Sequence, residues 1–101
     1  MTAFTNEVIK VVKSIPPGRV LSYGAVAELA GNARAARGVV FILRSRSKID
    51  NLPWHRVVGK TGQVRIKDIE GYLLQKHLLE LENVVVSDSG LIDMDVYRMD
   101  L

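Results

Sequence analysis

Between residues 32 and 67 the chain carries nine basic side chains against a single acid, Asp50. A local balance of +8 within 36 residues is the footprint of a polyanionic partner, and nucleic acid is the first candidate. Inside that block, Pro53-Trp54-His55-Arg56-Val57-Val58-Gly59 sets an indole, an imidazole and a guanidinium side by side. The chain contains no cysteine, which excludes thiol nucleophiles, thiolate metal sites and disulfides. The two histidines, His55 and His77, make no ligand cluster at a recognised metal spacing, so neither a metal nor any other cofactor is expected.

These groups must be positioned by a small scaffold. At 101 residues and 11.2 kDa, 48% hydrophobic and 25% charged, the chain is expected to be one folded domain spanning 1–101, and a monomer. Residues 1–31 balance to +1, with three basic and two acidic groups, and residues 68–101 to −6, with two basic and eight acidic. The acidic third is open to two readings, a protein-contact surface turned away from DNA or a merely solvated face. No run of 18 apolar residues and no leader-like start occur, so no membrane contact is expected. The location implied is intracellular: cytoplasmic with the nucleoid in a bacterium, nuclear in a eukaryote.

Phe4, Val8, Ile9, Val11 and Val12 recur at helical spacing, with Thr2 or Thr5 placed to cap them and Pro16-Pro17-Gly18 to stop them. After a short extended Arg19-Val20-Leu21, Ser22 precedes a two-turn helix over 23–30. Asn32 is placed to cap a third helix over about 33–46. Ala27, four residues before Gly31, suits a helix-turn-helix over about 22–46, since a small residue lets helices cross closely and glycine accepts the left-handed turn. Beyond a polar loop at 47–52, residues 55–58 read as a short strand and 59–62 as a turn. Val64 and Ile66 read as a second strand or an extended arm. A closing helix is expected over 71–82 with Leu74, Leu78 and Leu81 on one stripe, then a small hairpin around Asp88-Ser89-Gly90. The fold class is mainly α with small β pieces.

On the third helix, Ala35, Val39, Ile42 and Leu43 share the core face, and Arg34, Arg37, Phe41 and Arg44 lie opposite. Three guanidiniums on one stripe suit phosphate contact and groove entry; an ordinary solvated face is the alternative. Phe41 has three destinations open: DNA, a neighbouring segment, or the core.

The string Pro53-Trp54-His55-Arg56-Val57-Val58-Gly59, with Arg34-Ala35-Ala36-Arg37 and Ser22-Tyr23-Gly24-Ala25-Val26-Ala27 upstream, resembles the alkyltransferase-like proteins. These are cysteine-lacking relatives of the DNA-binding domain of O6-alkylguanine-DNA alkyltransferases, whose signature is Pro-Cys-His-Arg-Val. Trp54 stands in the cysteine's place, and the resemblance runs from about Phe4 to Val86. It implies a winged-helix-like helix-turn-helix domain of the alkyltransferase C-terminal type, without the N-terminal domain of complete alkyltransferases. It also implies a partner, duplex DNA carrying an alkylated guanine, bound from the minor groove with the damaged nucleotide flipped out. Alkyl transfer needs a thiolate, and indole offers no comparable lone pair, so the chain is not expected to be an enzyme.

Carried over residue by residue, Arg37 is similar to the arginine finger that fills the gap left by the flipped nucleotide, with Arg34, Ala36, Gly38 and Arg44 beside it at the DNA surface. Tyr23 resembles the tyrosine that crowds the target phosphate; packing at a helix start is its other reading. Trp54 and Val57 resemble residues whose main-chain carbonyls accept from the guanine amino group, and the Trp54 ring offers a flat apolar wall to a flipped base. His55 and Glu82 match the relay that activates the transferase cysteine; with no nucleophile to serve, a structural pair is expected. Lys67 has three roles open: a cation over the base, a phosphate ligand, or a solvated charge. Three departures stand out: Val40-Phe41 for a usual Gly-Gly, Arg46-Ser47 for Asn-Pro, and Val64-Arg65-Ile66-Lys67-Asp68 for small and hydroxyl residues. The function implied is a damage sensor that hands the lesion to nucleotide excision repair proteins. A sequence-specific transcription regulator reading the major groove is the other reading of the same helix-turn-helix.

Overall fold

A computed structural model describes residues 1–101. Helix α1 (Ala3–Ser14) starts where the Thr2 hydroxyl accepts from the Thr5 N–H at 3.0 Å and stops before Pro16-Pro17. Gly18 then turns with φ +85°. Strand β1 (Leu21–Ser22) leads into α2 (Tyr23–Leu29), capped by the Ser22 hydroxyl on the Ala25 N–H at 3.0 Å. Gly31, at φ +100°, turns the chain toward α3 (Ala36–Asp50). Ala27 is fully buried in the cluster shared by α1, α2 and α3, where a larger side chain would force the helices apart.

Helix α3 is displaced from its expected span at both ends. At its start, the Asn32 side chain accepts from the Arg34 N–H at 3.2 Å and the Asn32 carbonyl from the Ala35 N–H at 3.1 Å, so Asn32 builds a turn rather than the helix cap. At its end, the helix runs through the expected 47–52 loop. Arg46 and Asp50 pair at 2.8 Å one turn apart, and Asn51 closes the helix in the left-handed conformation at φ 52°.

Residues 54–56 form a single 3₁₀ turn, so the expected strand shrinks to β2 (Val57–Val58), which pairs in parallel with β1, Leu21 on Val57 and Ser22 on Val58. No strand forms at 64–66. The arm is held instead by the Val64 N–H on the Gly90 carbonyl at 2.9 Å and one bridge between Gln63 and Leu91. A tight turn does form around 88–90, with Gly90 at φ +80°.

Asp68 caps α4 (Ile69–Leu81), and the expected leucine stripe is rotated outward. Leu74 is 49% and Leu81 67% exposed, whereas Gln75 and Leu79 are buried. The Gln75 amide determines this rotation by donating to the His55 and Val57 carbonyls at 3.1 and 3.0 Å, two bonds from a buried side chain that outweigh the leucine pattern. A last helical turn, α5 (Met94–Tyr97), precedes the tail. One core cluster lies among α1, α2, α3 and Val57. A second joins Val20, Val58 and Leu79 to the 84–92 segment. No helix is long and apolar enough to cross a membrane.

Candidate nucleic-acid interface

One groove of about 1430 Å³ is bounded by the start of α2, the outer face of α3, Trp54, the 59–66 loop and the chain's tail. Its lining carries six cations, Arg37, Arg44, Lys48, Lys60, Arg65 and Arg98, and one acid, Glu28. A concave surface with this imbalance concentrates a polyanion.

Because Ser22 caps α2, Tyr23 occupies the first helical position, half-buried against the first core cluster. Burial pushes its phenol above the ordinary tyrosine range, and the charges of Arg65 and Arg44 pull only partly the other way. The ring is thus neutral at physiological pH and has two guanidiniums in its field. Trp54, from the 3₁₀ turn, joins Tyr23 in the lining and packs against the same core cluster. Its ring meets that of His55 edge to face, with centroids 6.2 Å apart and planes at 86°.

On α3 the lining takes Ala36, Arg37, Val40 and Arg44, and then Lys48 one turn later. Arg34 is exposed in the turn before the helix and lies outside the lining. Gly38 faces α1, where an added methyl would stand 3.4 Å from the Phe4 ring. Phe41 is 71% exposed and outside the lining, which removes the core from its three destinations. Val40, in contrast, sets an apolar side chain in the groove wall.

Lys67 is exposed but does not line the groove, because the chain turns at Asp68 to begin α4; Arg65 and Ile66 line it instead. Val57 is fully buried, and its carbonyl already accepts from Gln75, leaving one lone pair for any further donor. Lys48, Lys60 and Arg65 belong to the basic block of residues 32–67 without an individual role in the sequence reading, and Arg98 lies outside it. Lys48 follows Arg44 by four residues, a signal visible once α3 is extended. Arg98 had no signal, since only tertiary pairing returns the tail to the groove.

His55 and Glu82 lie outside this lining. The Glu82 carboxylate accepts from His55 Nε2 at 2.7 Å, from Arg56 Nη2 at 2.7 Å and from the Gly18 N–H at 3.0 Å. Arg56 Nη1 also donates to the Ile15 carbonyl at 2.9 Å. Burial on its own would raise the Glu82 pKa; the hydrogen bonds from Arg56, His55 and Gly18 override it and bring the carboxyl from 4.5 to about 2. This network clamps the end of α1, the 54–56 turn and the end of α4 together. No group of histidine, aspartate and glutamate is arranged to hold a metal ion.

Residues 3–84 match the family model of the 6-O-methylguanine DNA methyltransferase DNA binding domain. A DNA base-flipping protein of Escherichia coli is 42% identical over 98 residues, covering 95% of this chain and 74% of that protein. Alkyltransferase-like protein 1 of Schizosaccharomyces pombe is 34% identical over 92 residues, covering 90% and 85%. The crystal structure of S. pombe Atl1 in complex with damaged DNA containing O6-carboxymethylguanine superposes with a TM-score of 0.89 at 29% identity, covering 100% of this chain and 98% of that one.

Proposed function

The chain belongs to the family of the 6-O-methylguanine DNA methyltransferase DNA binding domain, and from that premise we propose that it is a non-enzymatic sensor of O6-alkylguanine in duplex DNA. One observation carries the reading. Tyr23, Arg37 and Trp54 line a single cationic groove in a chain that has no cysteine to accept an alkyl group.

The groove residues divide the task by their chemistry. Arg44 and Lys48 hold backbone phosphates, which fix register without reading sequence. Arg37, on the same face of α3, enters the duplex and occupies the space of the extruded nucleotide. Tyr23 crowds the phosphate beside the target, and Trp54 stacks on or walls the flipped base. A damaged pair costs less to open than an intact one, which supplies part of the selectivity. The S. pombe homologue captured with O6-carboxymethylguanine in DNA supports this reading. Release by chemistry is not available, so the bound lesion is held for a second system, which we take to be nucleotide excision repair. The protein acts as a monomer in this scheme, with Arg34 flanking the contact surface.

The test is a titration of identical duplexes carrying guanine or O6-methylguanine at stated salt, with 2-aminopurine beside the target to report unstacking. Tighter binding and a fluorescence rise on the damaged duplex are expected. Equal affinity for both across unrelated sequences would sink the sensor reading, and a single preferred sequence would favour a transcription regulator.

A further inference from the structure

Residues 85–101 lie beyond the family match, which ends at residue 84, yet they come back to the groove. Val20, next to β1, gives both its backbone groups to the tail: its N–H donates to the Tyr97 carbonyl and its carbonyl accepts from the Met99 N–H, each at 2.9 Å. Arg19 Nη1 donates to the Val96 carbonyl at 2.6 Å. These bonds place Met94, Arg98 and Leu101 in the same lining as Tyr23, Arg37 and Trp54. The acidic third of the chain therefore does not lie wholly away from the groove.

Arg98 is exposed and takes part in none of the chain's five ion pairs. An unpaired guanidinium fixed by its backbone at the rim of a cationic groove matches what a phosphate oxygen accepts from. We propose that the 94–101 segment is a further wall of the DNA-binding groove and that Arg98 binds a backbone phosphate, clamping the duplex from the side away from α3. The inference rests on the reading of the groove as the DNA interface. A phosphate contact carries no base information, so Arg98 adds affinity for damaged and undamaged duplexes alike and leaves their ratio unchanged.

The experiment compares the full chain with Arg98→Ala, Arg98→Lys and, as a groove control, Arg44→Ala. Binding is measured to fluorescein-labelled duplexes with guanine or O6-methylguanine across a salt series. The Arg98 side chain makes no hydrogen bond within the protein, and the tail is held through main-chain groups, so Arg98→Ala keeps the wild-type melting curve. It is expected to weaken binding to both duplexes by about 5-fold, the scale of one exposed ion pair. The slope of log K against log salt should fall by about 0.9, one released counterion. Arg98→Lys should recover the slope. Wild-type affinity and slope for Arg98→Ala, with Arg44→Ala impaired, would overturn the tail proposal and leave the groove standing. If neither variant changes binding, both readings fall. A loss confined to the damaged duplex would also overturn the phosphate role, since it would mean that Arg98 reads the base.

Discussion

Replacing Glu82 by glutamine removes the charge at the centre of the clamp while keeping its shape. In the folded protein the carboxyl is lowered from 4.5 to about 2, which at about 1.36 kcal/mol per pH unit makes the ionised form worth about 3 kcal/mol of stability. The group is only 16% exposed, so solvent screening takes little from that figure. Because the folded pKa is depressed, the stabilisation is complete above pH 4.5 and is lost as the pH falls from 4.5 toward 2. Glu82→Gln is therefore expected to be about 3 kcal/mol less stable at pH 7, with the Arg56 guanidinium left buried beside a neutral amide. Its stability should fall less steeply than that of the wild type below pH 4.5, so that the two converge near pH 2. Urea melts at a series of pH values between 2 and 7 read this directly, and taking the difference between the two proteins cancels every other carboxylate. Parallel curves with a constant offset would refute the argument, because the loss would then owe nothing to the Glu82 charge. Where the variant is folded, the turn that carries Trp54 is still in place and Glu82 itself lies outside the groove, so the variant should keep its preference for O6-methylguanine.

The other predictions concern the groove and its support. Arg37→Ala should lose discrimination between damaged and undamaged duplexes in the same titration, while its melting temperature stays within the range of an exposed substitution, about 0.5 kcal/mol. Tyr23→Phe removes only the hydroxyl of a half-buried ring and should fold as the wild type does while binding the lesion less tightly; unchanged lesion binding would take the hydroxyl out of the mechanism. Gln75→Leu strips the donors from the His55 and Val57 carbonyls and should cost about 1–3 kcal/mol in a denaturant melt. Its Oε1 has no partner to lose, which holds the cost to the donor side.

The helix-turn-helix was legible because its punctuation is local. Ser22 caps α2, Pro16-Pro17 ends α1, and Ala27 with Gly31 shapes the turn. The far end of α3 was not, because it depends on a pair one turn apart, Arg46 with Asp50, and on Asn51 accepting a left-handed conformation. The rotation of α4 misled the pattern for another reason. Leucines on two faces leave periodicity ambiguous, and one buried glutamine bonded to two carbonyls decided the matter. In the groove, Tyr23, Arg37, Arg44 and Trp54 were visible through composition and motif, whereas Arg65 replaced Lys67 in the lining because the turn into α4 begins at Asp68.

The pairing of His55 with Glu82 in a chain with no nucleophile has a physical explanation in the same geometry. Glu82 sits at the C-terminal end of α4, where its carboxylate satisfies the Gly18 N–H after the α1 turn and both donor groups of the 54–56 segment. Arg56 in turn satisfies the Ile15 carbonyl at the end of α1. Removing Glu82 would leave the nearly buried Arg56 guanidinium without its partner and loosen three chain segments at once, a cost of several kcal/mol in a domain whose whole stability is of order 5–15. The groove wall depends on the same clamp, because Trp54 is held by the turn that His55 and Arg56 anchor. A thiol at residue 54 can be exchanged for an indole without disturbing any of these bonds, since the side chain at residue 54 takes part in none of them. The chemistry is therefore separable from the scaffold at one position, and the scaffold is what a lesion-binding protein still needs.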